Sequence, residues 1–315
     1  MQNHNSNNAA DSPALSQSLR PRHVAMITIG GIIGAGLFVG SSVAITAAGP
    51  AIIISYVLTG LLVLLIMRML GEMAVDMPNV RSFTEFTRAA LGNWAGFSIG
   101  WLYWYFWVIV IPVEAIAGAG IIQRWLPLPM WEIGAALMVL MTAVNLMSAR
   151  AYGEFEFWFA SIKVVAILVF ILVVGAHAFG FRSATGNTFS TLVAHGGFAP
   201  KGAFAVLAAV TTVIWSMMGA EVVTIAAAES PEPAKAVARM TSTIVSRILI
   251  FYVCSIFVIV STVPWTQVVS GQSPFTLALD GIHFPYASEF MAAVILTAVL
   301  SCLNSSFYVA SRVLF

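Results

Sequence analysis

The sequence predicts an all-α polytopic membrane protein, and three observations support this fold class. Hydrophobic residues make up 60% of the chain and charged residues 9%, whereas a soluble domain carries about 25% charged residues. The mean hydropathy is +0.93. Long apolar runs alternate with short polar segments, and about 20 apolar residues suffice to cross a bilayer as a helix. The formal net charge of +1 gives no indication of a nucleic-acid partner.

Eight apolar runs are predicted to span the membrane, and polar or Gly/Pro-containing segments separate them. The runs cover residues 24–48, 51–70, 94–122, 131–148, 156–180, 202–228, 248–264 and 289 onward. Residues 1–21 lack the order of features of a signal peptide, and we expect them to form a disordered cytosolic tail. Within the polar segment 71–93, residues 82–91 are predicted to form a short surface helix.

Lysine and arginine residues predict the orientation, because they concentrate in cytosolic segments. The segments on the N-terminal side of the membrane carry Arg20, Arg22, Arg68, Arg81, Arg88, Arg150, Lys235, Arg239 and Arg247. The opposite segments carry Arg124, Arg182 and Lys201. The N-terminus is therefore predicted to lie in the cytosol.

The first run contains the stretch IGGIIGAGLFVG at residues 29–40, which is a poor sequence for an uninterrupted helix. We expect a break near residues 31–36. Broken backbone at membrane depth occurs where it is buried in protein or lines a cavity, and the N–H groups that start a half-helix suit a carboxylate. Ile32, Gly34, Ala35 and Gly36 are therefore candidate substrate-binding residues. The alternative is close packing of small residues between helices.

The sixth run contains a second predicted break near residues 216–219, in the sequence WSMMG. Candidate site residues here are Trp215, Ser216, Met218 and Gly219. Broken spans at matching places in two halves of opposite direction are typical of inverted-repeat transporters. We assign residues 22–180 to a first five-helix repeat, 181–201 to an extracytoplasmic loop and 202–315 to a second repeat. Because the second repeat has only three spans, we expect the chain to be truncated in its eighth helix.

Three charged residues lie deep inside apolar runs, at least seven residues from either end, where a charge is costly and a functional role is the default expectation. Lys163 is a candidate for proton coupling; alternatively it is a fixed countercharge to Glu114 or Glu221. Glu221 follows the second break and could gate the site, carry a proton or hydrogen-bond the broken backbone. Glu114 could carry a proton or be a neutral acid bonded between helices.

The sequence indicates no cofactor, metal site or enzymatic group. The histidines lack metal-ligand spacing, no phosphate-binding GKS or GKT sequence is present, and no nucleophile–base pair is visible. Cys254 and Cys302 lie in apolar runs and are expected to be inert thiols. Trp215 is predicted to stack over the substrate, and ordinary apolar packing is the alternative.

The chain resembles the amino acid–polyamine–organocation superfamily in its bacterial amino acid permease branch. The matching stretches are RHVAMITIGGIIGAGLFVGSSVAI, GEMAV, GEFEFWFASIKVVAIL, MGAEVVTIAAAESPEP and CLNSSFYVASRVLF. Within that branch VGSSVAI, IMRML and WLYWYFWVIVIPVEA look most like the γ-aminobutyrate carriers. The resemblance implies a LeuT-type fold of five plus five inverted helices in the bacterial inner membrane. It also implies proton-coupled symport of an amino acid into the cell.

The resemblance further implies a role for individual residues. Ala35 and Gly36 would offer N–H groups to the substrate carboxylate, and the carbonyls of Ile32, Ser216 and Met218 would accept from its amino group. Trp215 would occlude the substrate, Lys163 would take the place of a sodium ion, and Glu221 matches the family's sixth-helix glutamate.

The sequence departs from the family pattern at Ser305 and in WSMM, so the substrate stays open between γ-aminobutyrate and an α-amino acid such as proline or an aromatic one. The early end of the chain leaves a transport-incompetent fragment or a sensor as another class. A passive channel is disfavoured because the charges are few and isolated. The partners expected are the amino acid, protons and membrane lipid; the sequence does not predict an oligomeric state.

Overall fold

A computed structural model describes residues 26, 32–77, 80, 82–147, 149–181, 186–222 and 249–313. Within these ranges the chain is built from helices joined by turns and short loops. The helices are α1 Ser41–Ala48, α2 Ile52–Asp76, α3 Phe83–Leu91, α4 Asn93–Ile122, α5 Met130–Met147, α6 Ala149–Ala178, α7 Thr191–Ala194, α8 Gly202–Met217, α9 Leu249–Thr262, α10 Pro274–Gly281 and α11 Ala287–Val313. A π-helical stretch, Gly36–Gly40, leads directly into α1.

In the part of the chain that the structure describes, an apolar helix lies within each of the eight predicted spans. Among the described residues, five helical stretches are long and apolar enough to cross a membrane, namely Gly36–Asp76, Asn93–Ile122, Met130–Met147, Tyr152–Ala178 and Ala287–Val313. The helices α8 and α9 are apolar but shorter. The chain is thus a multi-pass membrane protein.

The stretch Gly36–Asp76 holds two predicted spans, because it turns at Gly49. Gly49 has φ +67° and ψ −153° and Pro50 follows it, so the helical path cannot continue straight. A Cβ on Gly49 would lie 2.7 Å from the Cγ of Pro200, which leaves no room for a side chain. Glycine at this position therefore allows both the turn and the close contact.

Two helices extend beyond the predicted spans. The helix α2 continues to Asp76, beyond the predicted end of its span at residue 70, and Arg68 pairs with Glu72 at 3.2 Å on its exposed surface. Ion pairs between residues four apart stabilise a helix. The polar residues therefore end the apolar run from which the span was predicted, but the helix continues through them. The helix α6 begins at Ala149 rather than at residue 156. The short helix α3 matches the prediction, and the Ser82 side chain caps its N-terminus by accepting from the Glu85 N–H.

The helices α1 and α8 run antiparallel. At one end the Lys201 ammonium, just before α8, donates to the Thr46 carbonyl near the end of α1 at 2.7 Å. At the other end a Cβ on Gly36 would lie 2.9 Å from the Cα of Ser216, near the end of α8. The two interrupted segments of the chain are therefore side by side and point in opposite directions.

The helix α11 lies at the centre of the fold, because it is the most buried of the five long apolar stretches. It runs antiparallel to α4: Arg124, just after α4, donates to the Ser288 hydroxyl near the start of α11 at 3.1 Å, whereas Gly118 contacts Val299 farther along. The opposite side of α11 packs on α6, where the rings of Tyr152 and Tyr308 stack at 4.2 Å. The candidate site lies where α11 meets the first interrupted segment.

Candidate functional site

The first interruption lies at Ile33 and Gly34, within the described part of the predicted break; residue 31 is outside it. Helical structure resumes at Ala35 and is wound as a π-helix from Gly36 to Gly40. Such short π-helical turns occur frequently at functional sites. A Cβ on Gly34 would lie 3.1 Å from the Cys302 sulfur and 3.3 Å from the Glu114 Oε1 atom, so this segment is tightly enclosed.

The second interruption begins where α8 ends at Met217. Met218 is extended, and Gly219 has φ +109°, a conformation that favours glycine. Glu221 bonds this irregular backbone: its carboxylate accepts from the Gly219 N–H at 3.0 Å and from the Tyr103 hydroxyl at 3.1 Å. Of the roles considered for Glu221, the structure thus shows bonding of the broken backbone.

Tyr252 of α9 connects the two interruptions. Its fully buried hydroxyl lies 3.0 Å from the Ile32 carbonyl and 2.7 Å from the Ser216 carbonyl, and it donates toward both. These are two of the carbonyls that the resemblance assigns to the substrate amino group. A carbonyl oxygen has two lone pairs, so each can still accept a second hydrogen bond. Sequence reasoning missed Tyr252.

Lys163 of α6 is fully buried and contacts the first interruption directly. Its ammonium donates to the Ile33 carbonyl at 2.7 Å and to the Ser301 hydroxyl of α11 at 2.8 Å. The Ser301 hydroxyl in turn donates to the Glu156 carboxylate. The carboxylate that is joined to Lys163 through one hydroxyl is thus Glu156, which was not among the countercharges expected from the sequence.

Glu156 belongs to a buried polar network between α6 and α11. The carboxylate is fully buried, and the Asn304 side-chain amide donates to it at 3.4 Å. One helical turn toward the start of α6, the Tyr152 and Ser305 hydroxyls are hydrogen-bonded at 3.3 Å. The signal that could have identified Glu156 is a carboxylate beside an apolar run. Glu156 was not identified because it lies at the predicted start of a span, where a charged residue is not unusual.

Glu114 of α4 is buried close to Gly34 and Cys302. Its Oε2 atom makes no hydrogen bond to the part of the chain that the structure describes. A buried polar atom without a bond is costly, so this atom is a candidate for holding a proton or a ligand.

A cavity of about 600 Å³ reaches the first interruption from one end of the fold. Ala35 and Val39 form one wall, and Ala117 and Ile121, on the same face of α4 as Glu114, form another. Arg124 and Asp280 lie among the lining residues nearer the end of the fold. The volume is in the range typical of small-molecule sites. Of the predicted substrate-binding residues, Ala35 is the one that lines this cavity.

Trp215 lies outside the cavity in this structure. Its side chain is 48% exposed and packs edge-on against Phe106 of α4, with ring centroids 5.4 Å apart. The structure therefore brings Ser216, Gly36 and Ile32 together, but it does not bring Trp215 over Ala35. Among the described residues, no group of three or more His, Cys, Asp or Glu side chains is arranged to hold a metal ion.

The chain matches the amino acid permease family over residues 23–315 and belongs to that family. Its relatives are permeases, so this is a family of transporters rather than enzymes.

The curated relatives include three carriers named for γ-aminobutyrate. The chain is 50% identical to a probable GABA permease of Pseudomonas aeruginosa over 99% of its own length and 66% of the relative. It is 48% identical to the gamma-aminobutyric acid permease of Bacillus subtilis, over 96% of the chain and 65% of the relative. An aromatic amino acid transport protein of Escherichia coli is 40% identical over 96% of the chain and 66% of the relative. The chain thus spans slightly less than two thirds of these relatives.

Proposed function

We propose that the chain is the substrate-binding part of a secondary transporter that takes up an amino acid together with protons, and that the amino acid is γ-aminobutyrate. The substrate rests on the relatives named for γ-aminobutyrate, which are more similar to the chain than the relative named for aromatic amino acids. The fold we propose is the LeuT-type arrangement of five plus five inverted helices. The antiparallel contact between the two interrupted segments supports it. The proposed location is the bacterial inner membrane, with the N-terminus in the cytosol.

In the proposed site the N–H groups of Ala35 and Gly36 bind the substrate carboxylate. The start of the helical stretch Gly36–Ala48 presents backbone N–H groups and the positive end of the helix dipole. The position of Ala35 at the inner end of the cavity supports this role. Gly34 leaves room for the turn, where Cys302 and Glu114 already approach closely.

The substrate amino group is proposed to bind carbonyls of both interruptions, those of Ile32, Ser216 and Met218. This role requires the Tyr252 hydroxyl to share or yield its place at the first two carbonyls. Gly219 supplies the irregular backbone that frees the Met218 carbonyl from the helix. Trp215 would then move from Phe106 to cover the bound substrate.

The proposed proton-coupling groups are Lys163, Glu114 and Glu221. One observation carries this proposal: the Lys163 ammonium donates to the Ile33 carbonyl in the first interruption, two residues from the cavity wall at Ala35. A change in the charge of Lys163 therefore acts directly on the backbone proposed to hold the substrate. The Glu114 carboxylate lies beside the same segment, because its Oε1 atom would be 3.3 Å from a Cβ on Gly34. Its Oε2 atom makes no hydrogen bond to the described residues.

Uptake of labelled γ-aminobutyrate into proteoliposomes that carry the full-length reading frame tests this function. With an inward proton gradient we expect accumulation that excess unlabelled proline and phenylalanine do not reduce. Uptake of proline or phenylalanine in place of γ-aminobutyrate would be consistent with an amino acid permease but would reject γ-aminobutyrate as its substrate. The aromatic amino acid relative makes this the second candidate.

The variant Lys163→Met separates coupling from binding. It should abolish accumulation driven by the proton gradient and leave exchange of internal for external substrate intact, because exchange needs no net proton movement. Arg68→Met, which removes an exposed positive charge from the surface of α2, is the matched control and should accumulate substrate normally. Normal accumulation by Lys163→Met would show that this lysine is structural.

A further inference from the structure

We propose that Glu156 carries the coupling proton after Lys163, and that the Ser301 hydroxyl passes the proton between them. This inference rests on the proton-coupled transport proposed above. It adds Glu156 to the proposed proton-coupling groups Lys163, Glu114 and Glu221, and it gives the proton a direction.

The hydrogen bonds from Lys163 through Ser301 to Glu156 all run in one direction. The Lys163 ammonium donates to the Ser301 hydroxyl at 2.8 Å, and the same hydroxyl donates to the Glu156 carboxylate. The hydroxyl thus accepts from the donor and donates to the acceptor, which is the arrangement that proton transfer through a hydroxyl requires. All three side chains are fully buried, so bulk water does not compete for the proton.

The transfer balances in protons and charge. One N–H bond of the ammonium breaks as its proton moves to the Ser301 oxygen, and the original hydroxyl proton moves to the Glu156 carboxylate. The products are a neutral amine, an unchanged serine and a neutral carboxylic acid. Two buried charges are exchanged for two neutral groups, which removes their desolvation cost.

Glu156 lies nearer than Lys163 to the start of α6. Glu156 precedes Lys163 by about two helical turns, or about 10 Å along α6. The start of α6 lies on the side predicted to be cytosolic. Beyond Glu156 the network continues to Asn304, and toward the start of α6 it continues through the Ser305 and Tyr152 hydroxyls. The proton therefore leaves Lys163 in the inward direction, as symport into the cell requires.

The side chains around Lys163 differ in charge from those around Glu156. Near Lys163 the side chains of Glu114 and Cys302 lie within electrostatic range. Near Glu156 the neighbours are polar and mostly neutral: Tyr152, Asn304, Ser305 and, through Asn304, Asn145. Glu156 is thus the carboxylate on the inward side of Lys163 in this network.

The test compares two activities of the same proteoliposomes: accumulation of γ-aminobutyrate under an inward proton gradient, and exchange of labelled for unlabelled γ-aminobutyrate without a gradient. Glu156→Gln and Ser301→Ala should each exchange at the wild-type rate, and each should lose accumulation down to the level seen without a gradient. Glu132→Gln, which neutralises an exposed carboxylate at the start of α5, is the control and should retain both activities.

A purely structural role would lower exchange and accumulation together. If Glu156→Gln does not fold, Ser301→Ala decides, because it removes the hydroxyl link and leaves both charged groups in place. If Glu156→Gln and Ser301→Ala accumulate substrate at the wild-type level and Lys163→Met does not, the role of Glu156 is rejected and the proposed function still holds. If accumulation by the wild-type protein does not depend on the proton gradient, proton coupling itself is rejected.

Discussion

At the scale of single residues, the Tyr252 hydroxyl links the two interrupted segments by hydrogen bonds. It donates toward the Ile32 and Ser216 carbonyls, both freed from regular helical bonding by the interruptions. A hydroxyl has one hydrogen, so it serves the two carbonyls alternately or through a shared bond. A substrate ammonium has three hydrogens and could serve both at once, which gives the bound substrate a means of drawing the segments together.

Replacing Tyr252 by phenylalanine tests this bridge. Tyr252→Phe should lower the free energy of unfolding by about 1–3 kcal/mol, because it leaves two buried carbonyls without their donor. Thermal unfolding of the purified protein measures the loss. Tyr105→Phe removes an exposed hydroxyl from α4 and should have no effect. If both variants unfold alike, the bridge does not contribute to stability.

The sequence revealed charged site residues more readily than neutral ones. Lys163, Glu114 and Glu221 stand out because charge inside an apolar run is costly and therefore rare. Tyr252 and Ser301 do not stand out, since tyrosine and serine are common in apolar helices and become significant only through the partner that tertiary packing provides. The contacts of Lys163 could not be derived from one helix, because Ile33 and Ser301 come from two others.

At the scale of elements, the interrupted segment before α1 depends on glycine for close packing as well as for binding. A Cβ on Gly36 would lie 2.9 Å from the Cα of Ser216, a contact with backbone that cannot move aside cheaply. Gly36 thus supports both interpretations of the glycine stretch, helix packing and substrate binding. A bulky replacement such as leucine would separate α1 from α8, so loss of binding in that variant would not by itself identify a carboxylate site.

A smaller substitution at Gly36 measures how much its close packing contributes to the free energy of unfolding. Gly36→Ala should lower the free energy of unfolding by about 1–3 kcal/mol, the range for overpacked sites. For Gly40→Ala, at the other end of the same π-helical stretch, the contact found among the described residues is the Ala35 carbonyl oxygen at 3.9 Å. This variant should be neutral or should stabilise by up to about 1 kcal/mol, because alanine favours helices over glycine. Equal thermal stability of the two variants would contradict the close contact at Ser216.

Hydrophobic runs predicted the existence of the helices well and their ends less well. The apolar signal ends where side chains enter water, whereas a helix ends where its backbone bonding ends. The helix α2 therefore continues through the exposed pair of Arg68 and Glu72. At Gly49 the sequence signal was sufficient, because Gly-Pro determines the backbone directly.

At the scale of the whole molecule, the cavity lies toward one end of the helices. Its position therefore relates the fold to the two sides of the membrane. Arg124 lies just beyond the end of α4 and contributes to the cavity lining, whereas α3 lies before the start of α4. The helix α4 is 30 residues long, so these two ends are about 45 Å apart. With the N-terminus in the cytosol, the cavity faces outward and α3 faces inward.

Thiol labelling of intact cells tests this arrangement with two single cysteine substitutions and a reagent that does not cross membranes. Thr276→Cys, in the cavity wall on α10, should react from outside, and γ-aminobutyrate should slow the reaction if the substrate enters by this route. Ala89→Cys, exposed on α3, should react only after the cells are permeabilised. The unsubstituted chain measures the background from Cys254 and Cys302, of which Cys302 is buried. Labelling of Ala89→Cys in intact cells, with Thr276→Cys protected, would reverse the orientation. The relay from Lys163 to Glu156 would then lead outward, so the direction of the proton depends on this result.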